Sequence, residues 1–207
     1  MEGCTAAAWR STATARPSAG TAVEVLTREG AVASRVLDAC APAWRPDGAL
    51  TYVRDGELWL RPGEGPDHVV ISGRDLASAV GPRAELEEVA WVDDRRLWAV
   101  VRHRREAVLV RFHDRIGSVV FRARAVEGLR VDRDGALAAR TAGDGVTFFD
   151  PAGRRLLSVS GEAVSWAPAG HVAAVAGRRE IAFVAPGARR VERLALVATD
   201  LEWLPSR

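Results

Sequence analysis

The sequence contains no lysine, and all 29 of its basic residues are arginine. Acidic residues nearly balance them, and the net charge of +2 gives no general reason to expect nucleic acid or an anionic membrane as a partner. Together with the abundance of alanine and glycine, the missing lysine favours a GC-rich genome over arginine-specific recognition.

Cysteine, methionine and long apolar runs are also scarce. Cys4 and Cys40 are too few for a disulfide framework, and their spacing is not that of a metal site. No run of 18 apolar residues predicts a membrane span, and residues 1–20 lack the apolar core of a signal peptide. The chain as written is therefore predicted to be soluble and cytoplasmic. Met1 is the only methionine, and a start codon placed too far downstream would instead imply an extracytoplasmic, membrane-anchored protein.

Motifs that carry catalysis are missing as well. The sequence has no G-x-S-x-G, no H-E-x-x-H and no phosphate-binding glycine loop, so it predicts no catalytic residue, no cofactor and no metal site. Asp132 and Asp134 resemble the start of a calcium loop, but the closing glutamate is absent and Asp144 stands nearby instead. A hairpin turn is the favoured interpretation. The four histidines are interpreted as solvated strand ends, with His103 and His113 flanking one hairpin and able to face each other.

What the sequence does contain is a repeat of short strands and turns. Its clearest copy is C-A-P-A-W-R-P-D-G-A-L-T-Y-V-R-D-G-E-L-W-L-R-P-G, over residues 40–63. This pattern predicts a strand ending at Trp44, strands over 50–53 and 58–60, and two Asp-Gly turns of the kind that joins two-residue hairpins. A fourth strand is expected over 68–71, and D-L-A-S-A-V after it could form one helical turn.

The anchor position of this unit returns four more times, occupied by Trp91, Val131, Trp166 and Trp203. The intervals are 47, 40, 35 and 37 residues, and a period near 40 with four strands per unit is typical of propeller blades. A tryptophan at this position is expected to fill the wedge between neighbouring blades. An immunoglobulin-like sandwich is the alternative, but it should not show a recurring W-x-P-D-G segment.

The segments A-W-R-P-D-G (residues 43–48) and S-W-A-P-A-G (165–170) resemble the repeat of TolB-type, WD-repeat-like β-propellers. E-W-L-P-S (202–206) matches in part, and the copies at 90–94 and 130–135 are degenerate. The resemblance implies a bacterial propeller. Most members of such families are extracytoplasmic binding or scaffold modules, and some are appendages of peptidases. It specifies a fold and carries little weight for function.

The predicted fold class is therefore all-β, a propeller of about five blades. Four blades are complete, and both termini close the fifth: residues 201–204 supply its innermost strand, while 23–26 and 32–37 supply outer ones. This composite blade is one strand short. Residues 1–20, which lack periodicity, are predicted to be a disordered tail, and 21–207 to form the propeller domain.

Arginine-rich loops are the most suggestive local feature. The loop after the second strand of a blade reads R-H-R-R-E at 102–106 and G-R-R-E at 177–180. Since such loops share one face of a propeller, a basic rim is predicted, and guanidinium groups suit an acidic protein patch or a small anionic ligand. The rim consists of Arg102, Arg104, Arg105, Arg178 and Arg179.

The favoured function is a non-enzymatic, monomeric binding or scaffold module with an unknown protein or small anionic ligand as partner. Nucleic acid is not expected, because the aromatic residues lie in the predicted blade cores and do not interleave with the arginines. The first alternative is a hydrolase or lyase with a carboxylate pair at the central channel. The second is the propeller domain of an anchored protein whose N-terminus is missing.

Overall fold

The structure is a computed structural model that describes residues 8–9, 13–17, 22–27, 29–143, 145–168, 170–196 and 201. Its strands form five four-stranded sheets, and within each sheet successive strands pair antiparallel. The predicted fold class, an all-β propeller of about five blades, is confirmed. By its internal contacts the chain divides into two compact units, Met1–Arg122 and Ala123–Arg207, which are described separately below.

The first unit contains three sheets. Sheet 1 consists of β1 (Ala8–Trp9), β2 (Ala13–Pro17), β3 (Ala22–Thr27) and β4 (Val32–Leu37). Sheet 2 consists of β5 (Cys40–Trp44), β6 (Leu50–Arg54), β7 (Glu57–Arg61) and β8 (His68–Ile71). Sheet 3 consists of β9 (Glu85–Trp91), β10 (Arg96–His103), β11 (Glu106–His113) and β12 (Ile116–Ala123), the last of which ends one residue beyond the unit boundary.

The second unit contains two sheets. Sheet 4 consists of β13 (Val126–Val131), β14 (Leu137–Thr141), β15 (Gly145–Phe149) and β16 (Arg155–Val159). Sheet 5 consists of β17 (Ala163–Trp166), β18 (Ala173–Ala176), β19 (Ile181–Ala185) and β20 (Arg190–Leu194). A 3-10 turn over Pro186–Ala188 connects the last two strands.

The middle strands of the sheets form the cores. All four residues of β18 are buried, and so are Leu97 to Val101 of β10. Outer strands are more exposed, as Ile116 of β12 and Leu194 of β20 show. The core of the first unit is built around Val101, Val108, Phe112 and their neighbours, whereas that of the second surrounds Phe148 and Val175.

Two of the recurring tryptophans, Trp91 and Trp166, contact the preceding sheet, as the repeat predicted. Trp91, at the end of β9, donates its indole N–H to Thr51 Oγ1 on β6, at 2.9 Å. In the second unit Trp166 donates to the backbone oxygen of Arg130 at 2.9 Å, and its ring meets that of Phe148 edge to face. Both rings are only partly buried. Each of these two anchors therefore links its sheet to the preceding one by a directed hydrogen bond as well as by packing.

The turns differ in part from the expected two-residue hairpins. Asp55 and Gly56 both have positive φ between β6 and β7, as predicted for an Asp-Gly hairpin. In contrast, of the Asp47-Gly48 pair only Gly48 has positive φ, and its N–H donates to Arg45 O within a longer turn closed by Arg45 N and Ala49 O. Asp47 does not adopt a left-handed conformation, and its Oδ1 accepts the backbone N–H of Ala49.

In the described residues, one α-helix interrupts the strands. Helix α1 (Gly73–Ala79) is two turns long, somewhat longer than the single predicted turn. The side chain of Ser72 accepts from Asp75 N, while Asp75 Oδ2 accepts from Ser72 N, so a capping box fixes its start. Leu76 is fully buried and holds the helix against the core of the first unit. No helix in the described residues is long and apolar enough to cross a membrane.

The N-terminal segment corrects the prediction of how the last blade closes. In the part of the chain that the structure describes, sheet 1 has four strands, all from residues 8–37, so it is not one strand short. It also includes Ala8–Trp9 and Ala13–Pro17, within the segment that was expected to be a disordered tail. Backbone pairing does not require alternating apolar residues, which explains why the pattern gave no signal. The strand predicted over 201–204 lies outside the described residues apart from Leu201, which is in no strand.

Candidate functional site

Three of the predicted rim arginines lie at the end of the β10–β11 hairpin where the two strands are joined, in the first unit. Arg102 is near the end of β10 and forms an ion pair with Glu87 at 2.7 Å. Arg104 and Arg105 form the turn that follows, where Arg104 has positive φ. Both are exposed, and among the described residues neither has an ionic partner. Their guanidinium groups are therefore available to an acidic ligand.

The other two predicted arginines lie on one loop of the second unit. Arg178 is 3.4 Å from Glu162, in a pair that is largely exposed. Arg179 is exposed, and no carboxylate of the described chain pairs with it. The structure thus brings together the members of each loop. That all five residues share one rim stays a prediction.

A second group of polar side chains forms in the second unit, where sequence reasoning predicted only a turn. Asp132 and Asp134 lie in the turn between β13 and β14, and His171 in the corresponding turn between β17 and β18. The atoms that these three side chains offer to a metal lie within 4.8 Å of one another. His171 Nε2 is 3.2 Å from Asp134 Oδ2, and its Nδ1 is 3.9 Å from Asp132 Oδ2.

The turn interpretation of Asp132 is confirmed, but it is incomplete. Asp132 Oδ1 accepts hydrogen bonds from the backbone N–H groups of Asp134 and Ala136, at 3.0 and 2.8 Å. His171 was interpreted as a solvated strand end, and it does lie in an exposed turn. The repeat itself could have predicted that His171 lies near Asp132 and Asp134. The two turns follow the anchors Val131 and Trp166, and equivalent turns of successive blades are neighbours.

The other histidine expectation is wrong. In the hairpin of β10 and β11, His103 pairs with Glu106 and His113 with Arg96. The two imidazoles are therefore at opposite ends of the hairpin and do not face each other.

Shifted carboxyl groups give the hydrolase alternative no support. In the described chain, every carboxyl with a resolved shift has a lowered pKa. They are Asp47, Asp67, Asp75, Asp93, Asp114 and Asp150. Hydrogen bonds from arginines lower the pKa of Asp47, Asp67 and Asp114. For the other three, burial alone would raise the pKa. Hydrogen bonds from backbone and side-chain groups outweigh that effect, so the net shift is downward. A general acid needs the opposite shift.

Comparison with known proteins supports the fold. No family model matches the sequence, and no curated protein does. Among solved structures, a chain of the mitotic checkpoint complex is similar with a TM-score of 0.69 and 17% identity, over 97% of this chain and 67% of that one. The Dos1 propeller aligns with a TM-score of 0.53 and 13% identity, over 83% of this chain and 52% of that one.

A protein of unknown function from Bacteroides caccae is also similar, with a TM-score of 0.53 and 11% identity, over 87% of this chain and 71% of that one. At these identities the likeness concerns the fold alone. The class of protein is a β-propeller, in agreement with its five four-stranded sheets.

Proposed function

We propose that this chain is a non-enzymatic, monomeric binding or scaffold module, and that it binds an acidic protein patch or a small anionic ligand through exposed loop arginines. The propeller fold supports the general role. The observation that carries the finer proposal is the state of Arg104, Arg105 and Arg179, which are exposed and lack an ionic partner among the described residues. An exposed arginine without a partner keeps its donors free for a carboxylate or phosphate.

The resemblance of A-W-R-P-D-G (residues 43–48) to the TolB-type repeat supports a bacterial binding module. One similar structure comes from the mitotic checkpoint complex, an assembly of proteins, which agrees with protein partners for this fold in general. Nucleic acid remains outside the proposal, because Trp91 and Trp166 point their N–H groups to neighbouring sheets and are not interleaved with the loop arginines.

The test compares two arginine pairs at opposite ends of β10. A fluorescein-labelled polyglutamate peptide is titrated with the full chain, and binding is followed by fluorescence anisotropy at low and high salt. We expect the double variant Arg104→Ala/Arg105→Ala to bind at least about fivefold more weakly, equivalent to about 1 kcal/mol. Affinity for the wild type should fall with salt, because the contact is ionic and exposed.

The matched control is Arg95→Ala/Arg96→Ala, which removes the same charge at the other end of the strand. Arg95 is paired with Asp114 and Arg96 with Asp93, so these guanidinium groups are already engaged. The control should bind like the wild type. Arg179→Ala, measured separately, reports the loop of the second unit. If both double variants lost the same affinity for the peptide, the effect would be one of net charge alone, and the proposal would be wrong. It would also be wrong if the wild type did not bind the peptide.

A further inference from the structure

The group formed by Asp132, Asp134 and His171 has features that the turn alone does not explain. The β13–β14 turn needs one carboxylate oxygen, and Asp132 Oδ1 supplies it by accepting two backbone N–H groups. Oδ2 of the same residue accepts no hydrogen bond from the described part of the chain. The Asp132 side chain is only 2% exposed, so this oxygen belongs to a nearly buried carboxylate with half of its acceptor capacity unused.

Burying a carboxylate is costly unless a cation or hydrogen-bond donors compensate it. The nearest candidate is His171, whose Nδ1 lies 3.9 Å from Asp132 Oδ2, beyond hydrogen-bond distance. The unused oxygen therefore faces an imidazole across a gap. A bound cation between them would provide the missing compensation.

The spacing of the three side chains fits one ion. Their ligand atoms lie within 4.8 Å of one another. Metal–ligand distances of about 2.0–2.2 Å place neighbouring ligands about 3 to 4 Å apart, so only small side-chain rotations are needed. His171 and Asp134 are 75% and 49% exposed, which leaves them free to make such rotations.

The ligand types select the kind of metal. Calcium and magnesium prefer sets made entirely of oxygen atoms, whereas an imidazole nitrogen combined with carboxylates suits zinc and similar divalent transition metals. Arg133 Nε lies 4.0 Å from Asp134 Oδ1, and its positive charge weakens the attraction for a cation. The affinity should consequently be moderate.

We propose that Asp132, Asp134 and His171 bind one divalent transition-metal ion of the zinc type. Three protein ligands leave at least one coordination position open. Because His171 and Asp134 are exposed to solvent, water or a small anionic group would occupy that position. The site lies within the second unit and is independent of the loop arginines.

The test is calorimetric titration of the full chain with zinc chloride, supported by absorption spectra with cobalt(II). The variants are Asp132→Asn, which keeps an oxygen for the turn, Asp134→Asn, and His171→Asn. Asparagine suits position 171 because φ there is +60° and asparagine tolerates that conformation. Each variant should weaken the tightest zinc-binding step by more than about tenfold and remove the cobalt ligand-field bands.

The matched control is His113→Asn in the first unit. His113 Nε2 also lies 3.9 Å from an aspartate oxygen, that of Asp114, but this aspartate is already paired with Arg95. The control should bind zinc like the wild type. If the wild type binds no zinc, or if His171→Asn and Asp134→Asn bind as tightly as it does, the proposal is wrong. Those two exposed variants decide the outcome even if Asp132→Asn fails to fold.

Discussion

Asp67 shows how a single carboxylate organises its surroundings in sheet 2. It accepts two hydrogen bonds from Arg61, at 3.0 and 2.9 Å, and one from the hydroxyl of Tyr52 at 2.6 Å. Tyr52 is fully buried, and the guanidinium of Arg54 lies 5.1 Å from the centre of its ring. Burial and the bond to Asp67 raise the pKa of Tyr52 to about 12, so its hydroxyl stays protonated as the donor.

The substitution Asp67→Asn should lower the free energy of unfolding at pH 7 by about 1–3 kcal/mol, because Arg61 loses a charged acceptor. The hydrogen bond from Arg61 lowers the pKa of Asp67, burial partly opposes it, and the bond from Tyr52 adds to the lowering. A depressed folded-state pKa contributes stability above the unfolded-state value, and that contribution is lost as the pH falls through the folded-state pKa. Urea unfolding at pH 7 and pH 3 measures both effects, and the difference from wild type should shrink below about pH 4.

The control for this prediction is Asp114→Asn. Asp114 also accepts two hydrogen bonds from one arginine, Arg95, at 2.9 and 2.6 Å, but the pair is exposed to solvent. Exposed ion pairs contribute little to stability, so this variant should unfold like the wild type. Equal losses in the two variants would show that the partial burial of Asp67 and its bond to Tyr52 do not matter.

Side-chain neighbours across the chain were the least predictable feature. Residue type and turn position correctly predicted the role of Asp132 in its own turn. The approach of His171 to Asp132 was not predicted. It depends on how sheets 4 and 5 stack, and the sequence of either turn alone does not specify that stacking. The same limit applies to His103 and His113, whose separation follows from the register of a hairpin and not from their distance in sequence.

Strands and their order were well predicted, because each sheet is built from consecutive segments. The expected strand over 68–71 coincides with β8, and the recurring tryptophans mark the ends of β5, β9 and β17. Turn geometry was harder to predict. An Asp-Gly pair occurs both in the two-residue turn at Asp55 and in the longer turn at Asp47, and the dipeptide alone does not distinguish them.

Links between neighbouring sheets give a prediction about two tryptophans. Trp91 Nε1 donates to Thr51 Oγ1, and the threonine hydroxyl donates onward to Ala43 O at 2.8 Å. Trp59 Nε1, in contrast, is buried and has no acceptor among the described residues. Replacing either ring by phenylalanine removes the same atoms. Trp91→Phe should therefore cost about 1 kcal/mol more than Trp59→Phe, since only the former breaks a hydrogen bond.

Urea unfolding of the two single variants measures this difference. Trp59→Phe also removes an unsatisfied buried donor, which by itself favours the folded state. If Trp59→Phe proves as damaging as Trp91→Phe, the hydrogen bond to Thr51 does not contribute, and the anchor position acts by packing alone.

The molecule as a whole differs from the prediction mainly at its N-terminal sheet. The prediction used the rule that both ends of a propeller chain share one blade, and it judged residues 1–20 by their lack of periodicity. In the structure, β2 pairs along its whole length with β3, from Ala13 with Thr27 to Pro17 with Val23. The segment A-T-A-R-P contributes backbone hydrogen bonds, which composition does not reveal.

Deleting residues 1–20 therefore distinguishes a disordered tail from a segment that contributes the paired strands β1 and β2. The deletion removes β1 and β2 and leaves β3 and β4 as a hairpin with an open edge, an arrangement that is marginal on its own. Val23 and Val36 of this hairpin are buried in a cluster with Leu50 and Tyr52, so its loosening should reach sheet 2. We expect the melting temperature to fall by several degrees, at about 2–4 °C for each kcal/mol lost in a chain of this size.

Hydrogen exchange should locate the effect, with faster exchange of the β3 amides than in the full chain. A shorter deletion, of residues 1–7, removes no described strand and serves as the control, with an unchanged melting temperature expected. If residues 1–20 were a tail without structure, deleting them would change neither the melting temperature nor the exchange of the β3 amides. Unchanged β3 exchange after removal of residues 1–20 would mean that β3 does not depend on β2, and sheet 1 would then have to be completed by another part of the chain.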